Sequence, residues 1–360
     1  GELFYSLNLH WALPYLIINK GGSKPLFKNK IKLSGSDHNI MEFQHFEIAA
    51  RNLASLVWKK NALLDILAGG IEYSLDGSIH EPNTYTMWAY PFDSVISSGI
   101  YSIIYENSGT KAVLLKEDKI VRELNRSFYH AKDYGYPISF TPLPNGELGI
   151  IHCPLEYNVL EIEKTSTGEF LTKRPQNAQD IFHSRLQVSP DGKWLLSNGW
   201  VWHPWNILCV YNLHEALKNP NHLDTDGIPT PLTSTGEWEI DNAVIGDNKV
   251  VACLCTNDGF QLGVLQLDPL TFTQVNIAQS TGMMMMLEPH WIVAFFDYPK
   301  VIDIRAGDVV LSFPDLPSPI ERAQPSVTFS EHDQPILALD PENKRFAMGN
   351  KNKIDAFVFR

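Results

Sequence analysis

Short runs of Val, Ile, Leu, Phe and Tyr recur along the whole chain, each ended by Gly, Asn, Asp or Pro. Runs of that length and punctuation predict buried β-strands, and the 3.6-residue period of an amphipathic helix is almost absent. The runs also repeat as groups. The tight turn after the first run of each group falls at 52, 99, 146, 192, 247, 290 and 343, so the spacing is 43 to 55 residues. A period near that length with four strands per repeat predicts propeller blades. The expectation is therefore an all-β chain, one domain over 1–360, forming a seven-bladed β-propeller with four-stranded blades. The blades are expected at about 42–90, 91–130, 134–175, 183–235, 238–280, 283–315 and 327–360.

The fourth repeat shows the unit most plainly. Arg185 to Val188 leads into the turn Ser189-Pro190-Asp191-Gly192, Lys193 to Ser197 follows, an aromatic loop runs from Asn198 to Trp205, and Ile207 to Leu213 is the third run. In the first repeat the four strands are expected at Phe46 to Ala50, Leu53 to Trp58, Ala62 to Leu67 and Ile71 to Leu75. The seventh has only Ile336 to Leu339, Phe346 to Met348 and Ile354 to Phe359. A strand from the other terminus is needed there to close the ring and cover the open sheet edge. Leu26 to Leu33, within an N-terminal segment 1–34, is the first candidate and Leu3 to Leu7 the rival, with Trp11 to Ile18 left unplaced. His214 to Lys218, followed by Asn219-Pro220, predicts a single helical turn in an insertion.

The stretch Ser189-Pro190-Asp191-Gly192-Lys193-Trp194-Leu195-Leu196 resembles the strand-turn-strand signature of WD40-like and TolB-like (PD40-type) propeller repeats, and Pro144-Asn145-Gly146 is a weaker echo. The Gly-His and Trp-Asp dipeptides of standard WD40 repeats are missing. What the resemblance implies is a fold that hosts both binding proteins and enzymes. It also implies that loops entering first strands and loops between second and third strands open on one face.

On that face His183, Arg185, Trp202, His203, Trp205, Trp238, Glu239 and Asp241 are expected to converge between repeats four and five. Aromatic rings with a few charged groups suit a binding surface for a protein or a small molecule, and alternation singles out Trp202 for exposure. Structural roles compete with this: tryptophans packed between blades, His183 and Arg185 tying one blade to the next, Asp241-Asn242 capping a turn. The leading expectation is thus a ligand- or protein-binding scaffold with no catalytic residue and no cofactor. The alternative is a lyase or hydrolase acting on a carbohydrate or lactone, with His45, His183 and His332 holding a divalent metal in the central channel. Imidazole is a common ligand, although no HxH or HxxxH spacing supports the set.

Composition narrows the partners. Twenty-nine Lys and Arg against 41 Asp and Glu give a net charge of −12, which repels a phosphate backbone and excludes nucleic acid. The lysines between Lys20 and Lys32 are diluted by Gly, Ser and Pro and suit an edge strand. With 44% hydrophobic and 19% charged residues the chain can bury a large core and is no disordered polyelectrolyte. Cys153, Cys209, Cys253 and Cys255 lie in apolar runs without CxxC spacing, so reduced thiols and a cytoplasmic setting are expected, with a removed leader left open. No apolar stretch nears the roughly 20 residues of a membrane helix, so no membrane insertion is expected.

Overall fold

The computed structural model describes residues 27–32, 40–82, 87–117, 119–175, 177–202, 205–232, 238–287, 289–316, 318–319 and 336–360. The chain forms a seven-bladed β-propeller of four-stranded antiparallel blades. Blade one comprises Val57–Lys59, Ala62–Asp65, Ile71–Ser74 and Ile79–His80, and blade two Ser94–Ser98, Tyr101–Tyr105, Ala112–Lys116 and Lys119–Glu123. Blade three has Ile138–Pro142, Leu148–His152 and Glu161–Lys164; in the fourth position the Leu171 N–H donates to the Ile162 carbonyl at 2.7 Å. Blade four has Gln187–Val188, Trp194–Val201 and Trp205–Asn212, followed by the helix Leu213–Lys218, which Asn212 caps by accepting from the Glu215 N–H. Blade five comprises Trp238–Ile245, Lys249–Thr256, Gly259–Leu267 and Leu270–Ile277, and blade six Met284–Leu287, Trp291–Ala294, Lys300–Asp303 and Val309–Ser312. First strands of successive blades touch from blade one to blade six, and that of blade seven, Ile336–Asp340, touches that of blade one.

Blade seven closes the ring. From its outer edge inward the sheet reads Phe27–Lys32, Ile40–Ala49, Lys353–Phe359, Arg345–Asn350 and Ile336–Asp340. The N-terminal strand Ile40–Ala49 seals the seam, with Phe43 opposite Phe359 and Ala49 opposite Lys353. Phe46 to Ala49, expected in the first strand of blade one, therefore belongs to blade seven. The expected closing run Leu26 to Leu33, of which Phe27–Lys32 is described, pairs one position further out. Blade one starts at Val57, and its first turn is at Lys60-Asn61 rather than Asn52. The physical reason is that alternation assigns faces but not sheets. Met41 and Phe43 pack towards blade six while Ile48 packs towards blade one, a pattern either assignment would show. Leu3 to Leu7 and Trp11 to Ile18 lie outside the described residues.

The core is divided by interface. Seven apolar clusters lie one between each pair of neighbouring blades: one–two, two–three, three–four, four–five, five–six, six–seven and seven–one. Alternation within single strands feeds two clusters at once. In blade five Val250, Ala252 and Leu254 face blade four while Val251 and Cys253 face blade six. Each such valine or leucine contributes about 1.5–3 kcal/mol on burial. None of the four cysteines is in a disulfide, and burial pushes Cys209 up to about 12 and Cys253 up to about 11, which leaves those two thiols protonated.

Because strands alternate in direction, crossovers from one blade to the next and loops between second and third strands emerge on the same face. Among the described residues, 124–137, 153–160, 173–175, 177–186 and Trp202 belong to such segments around blades three and four.

Candidate functional site

One further apolar cluster lies apart from these seven and is built from segments of blades three and four. Tyr134, Phe182 and Trp200 are buried together with Tyr157 packed against them, all on the face just defined. Tyr134 comes from the crossover into blade three, Tyr157 from that blade's second loop, Phe182 from the crossover into blade four and Trp200 from that blade's second strand. Phe182 is the hub. Its ring stacks on Trp200 at 4.3 Å and 9° and on Tyr157 at 4.5 Å, and meets Tyr134 edge-on at 5.2 Å and Trp202 edge-on at 5.3 Å. His130 adds a ring 5.0 Å from Trp202, and Tyr129 stands 4.6 Å from His130 and 5.0 Å from Tyr157. Edge-to-face and offset pairs of this kind each add about 0.5–1.5 kcal/mol beyond area burial.

Backbone geometry forces the hub into place. Phe182 and Trp200 exchange two backbone hydrogen bonds, at 2.9 and 3.1 Å, so the crossover is stitched to the strand as an isolated bridge. Between them Gly199 runs so close that a Cβ would press into the Phe182 carbonyl, and only glycine fits. Arg126 holds the other wall. Its guanidinium is buried between the rings of Tyr134 and Tyr136, 4.5 and 4.7 Å from their centroids, and donates to the carbonyls of Gly109 at 2.8 Å and Ala131 at 2.7 Å. Burial lowers its affinity for the proton, and the two π-faces and carbonyl dipoles stand in for a carboxylate. Burial also pushes the Tyr134 phenol up to about 12. A polar chain below links the blades: Ser184 Oγ donates to the Gly135 carbonyl at 3.1 Å, Asn198 Nδ2 to Asn242 Oδ1 at 3.3 Å, and Asn242 Nδ2 to the Gly282 carbonyl at 3.0 Å.

Above the hub the rings reach solvent. Among the described residues, the large aromatic side chains that are exposed are Tyr90, Phe128, Tyr129, Trp202 and Trp205, and all five are on this face. Phe128 is 87% exposed, Trp205 50% and Trp202 42%. Two carboxylates bond to rings that touch Tyr129 and Trp202. His130 Nδ1 lies 2.6 Å from Asp133 Oδ2, and the Tyr157 hydroxyl donates to Asp180, an acceptor that together with burial raises the phenol.

The most informative likenesses are to solved structures. No family model matches the sequence, and no curated protein is significantly similar to it. A catalytically inactive virginiamycin B lyase from Staphylococcus aureus with quinupristin superposes with a TM-score of 0.51 at 13% identity, over 88% of this chain and 99% of that one. The Cps50 (Swd1) β-propeller domain from Myceliophteria thermophila superposes with a TM-score of 0.50 at 10% identity, over 87% of this chain and 98% of that one. The likeness is one of fold. Proteins of this shape include a lyase and the Swd1 propeller domain, so the geometry of the site has to carry the function.

The residues picked out from the sequence separate into two groups. Trp202 and Trp205 stand exposed over blade four. His183 is buried beneath them with Nδ1 3.0 Å from Ser197 Oγ, and burial pushes its pKa down to about 3, so it is neutral. Arg185, at φ 46°, donates from Nε to the Asn198 carbonyl at 3.3 Å; burial pushes it down to about 10, opposed by Asp241. Asp241 is itself buried and accepts from Ser280 Oγ. Trp238 packs against the blade four–five core, and Glu239 is exposed beside it. His203 and His332 lie outside the described residues.

His45 does not face the channel. It is on the closing strand of blade seven, stacked on Phe357 at 4.3 Å with Nε2 2.8 Å from Asp355 Oδ1, whereas His183 precedes the innermost strand of blade four. The three-histidine arrangement fails because residue 45 sits in the outer part of the ring. His45, Glu47 and Asp355 do offer ligand atoms within 4.8 Å of one another, but Lys353 Nζ lies 2.8 Å from Glu47 and 3.1 Å from Asp355. An ammonium already occupies the place a cation would take.

Sequence reasoning placed the aromatic face over blades four and five, and the structure centres the ring cluster on blades three and four. Tyr129, His130, Tyr157 and Phe182 are not among the expected residues, and Tyr134 is expected only as one of the loop residues opening on that face. Their signal was the aromatic density of three consecutive face-forming segments, 124–137, 153–160 and 173–186, counted together rather than loop by loop.

Proposed function

We propose that this propeller is a binding scaffold that docks a protein segment on the aromatic face over blades three and four. The observation that carries this reading is that, among the described residues, the large exposed aromatic side chains all lie on one face, where Tyr129 and Trp202 join a ring cluster built from segments of blades three and four. Exposed apolar area concentrated in one place, backed by a rigid layer, is what an interaction site needs; scattered singly it would need no explanation. The rings protrude from loops fixed by the Phe182–Trp200 bridge and by Arg126, so little order is lost on docking. Protruding rings also suit a chain laid across them better than a small molecule, which needs enclosure.

A photo-crosslinking residue at position 202 tests this, with a control at Ile100, which is 49% exposed on a turn of the opposite face. A discrete crosslinked species from 202 alone is expected in extracts of the source cell. Replacing Trp202 and Trp205 with Ala is expected to lower capture of that species tenfold or more with the far-UV spectrum unchanged. Equal crosslinking from both faces, or undiminished capture by the double variant, overturns the proposal.

A further inference from the structure

We infer that the docked segment is basic and presents arginine; this rests on the docking role proposed above and specifies its partner. The first support is how the rings are set. Trp202 stands at 83° to His130 and 89° to Phe182, and Tyr129 at 87° to His130, so the exposed rings form the walls of a corner rather than one flat platform. A planar guanidinium can lie against one wall and direct its N–H groups past the ring edge.

The second support is what stands at those edges. Asp133 is tied to His130 at 2.6 Å with its side chain 55% exposed, and Asp180 is tied to Tyr157. A carboxylate has about four acceptor positions, and these two contacts leave open directions on each carboxylate. Glu156 is exposed between them in sequence, and Glu239 is exposed on blade five. Two exposed amines, Lys132 and Lys173, share these loops, so the local balance is acidic but not uniformly so. Charge-assisted hydrogen bonds from an arginine to a fixed carboxylate beside a π-face combine two attractions that neither a neutral sugar nor an acidic peptide can use.

The third support is long-range. A net charge of −12 attracts a basic segment and repels an acidic one before contact, and the aromatic corner then selects among basic side chains. Arginine is favoured over lysine because its planar, weakly hydrated cation stacks and forks where an ammonium does neither.

Three fluorescent nonapeptides of identical spacing, carrying arginine, citrulline or glutamate at alternate positions in a Gly-Ser background, are titrated by anisotropy against the full chain. The arginine peptide is expected to bind at least tenfold more tightly than the citrulline peptide, and the glutamate peptide weakest. Tightness for the arginine peptide should fall as salt rises, and Asp133→Asn with Asp180→Asn should bring it to within threefold of citrulline. Equal binding of arginine and citrulline, no effect of the double substitution, or no arginine binding up to millimolar peptide overturns the inference. The docking reading fails separately: Trp202→Ala leaving every peptide affinity unchanged would remove it, whereas citrulline binding that is lost on Trp202→Ala would keep the aromatic site and discard the basic partner.

Discussion

At Gly199 the second strand of blade four passes close enough to the crossover at Phe182 that a single methyl group has nowhere to go. Gly199→Ala is therefore expected to cost about 1–3 kcal/mol through overpacking, with a loss of near-UV aromatic dichroism as Phe182 and Trp200 part. An unchanged urea midpoint and spectrum would show that the close approach at Gly199 does not hold the crossover in place. His183 makes a different kind of demand, because it is buried neutral with its pKa at about 3 against 6.5 in an open chain. Below pH 6.5 the unfolded chain takes up a proton that the folded one refuses, so stability falls with acidification from about 6.5 down to about 3, by at most ~1.4 kcal/mol per pH unit. Above 6.5 the residue contributes no pH dependence. His183→Gln should flatten that acid limb relative to the unmodified chain in urea midpoints at about pH 4, 5 and 7, and parallel limbs would assign the acid loss to the carboxylates alone.

The three strands expected for blade seven were readable to within a residue or two, because each is an apolar run bounded by turn residues such as Asn343. The helix after blade four was readable for the same local reason, with Asn212 and Pro220 bracketing it. The closing strand was not. Its apolar alternation from Met41 to Ile48 fits an outer strand of the last blade as well as an inner strand of the first, and the choice is made by pairing with Lys353–Phe359, more than 300 residues away. Ile48, 1% exposed against blade one, reports on that pairing. Ile48→Ala is expected to destabilise the chain by about 2–5 kcal/mol in urea unfolding, against a change within about 0.5 kcal/mol for the exposed Ile100→Ala. Similar small effects from both would mean that the seam contributes little to holding the ring.

For the molecule as a whole, the spacing of turns was enough to read a ring, because every blade must repeat the same pair of interfaces. The site was readable only in part. Trp202 followed from alternation, whereas Asp241 lies within a strand and accepts from Ser280 Oγ rather than capping a turn, and the His183–Ser197 contact stays inside blade four. Phe182 was invisible, since a lone phenylalanine in a crossover has no pattern, and its importance comes from segments of two blades meeting over it. A ring fixes neighbours in space that the chain visits at different times.

The seam has a mechanical consequence. Phe43 faces Phe359 and Ala49 faces Lys353, so residues 40 and 360 lie at the same end of the paired strands. Tension applied at those two points loads one rung at a time, each contributing only about 0.5–1.5 kcal/mol. The blade peels open like a zipper while the other six keep their sheets. Pulled instead from residues 49 and 360, at opposite ends of the pair, the same rungs are sheared together and must fail at once. Depending on where the load is attached, the same seam yields easily or resists.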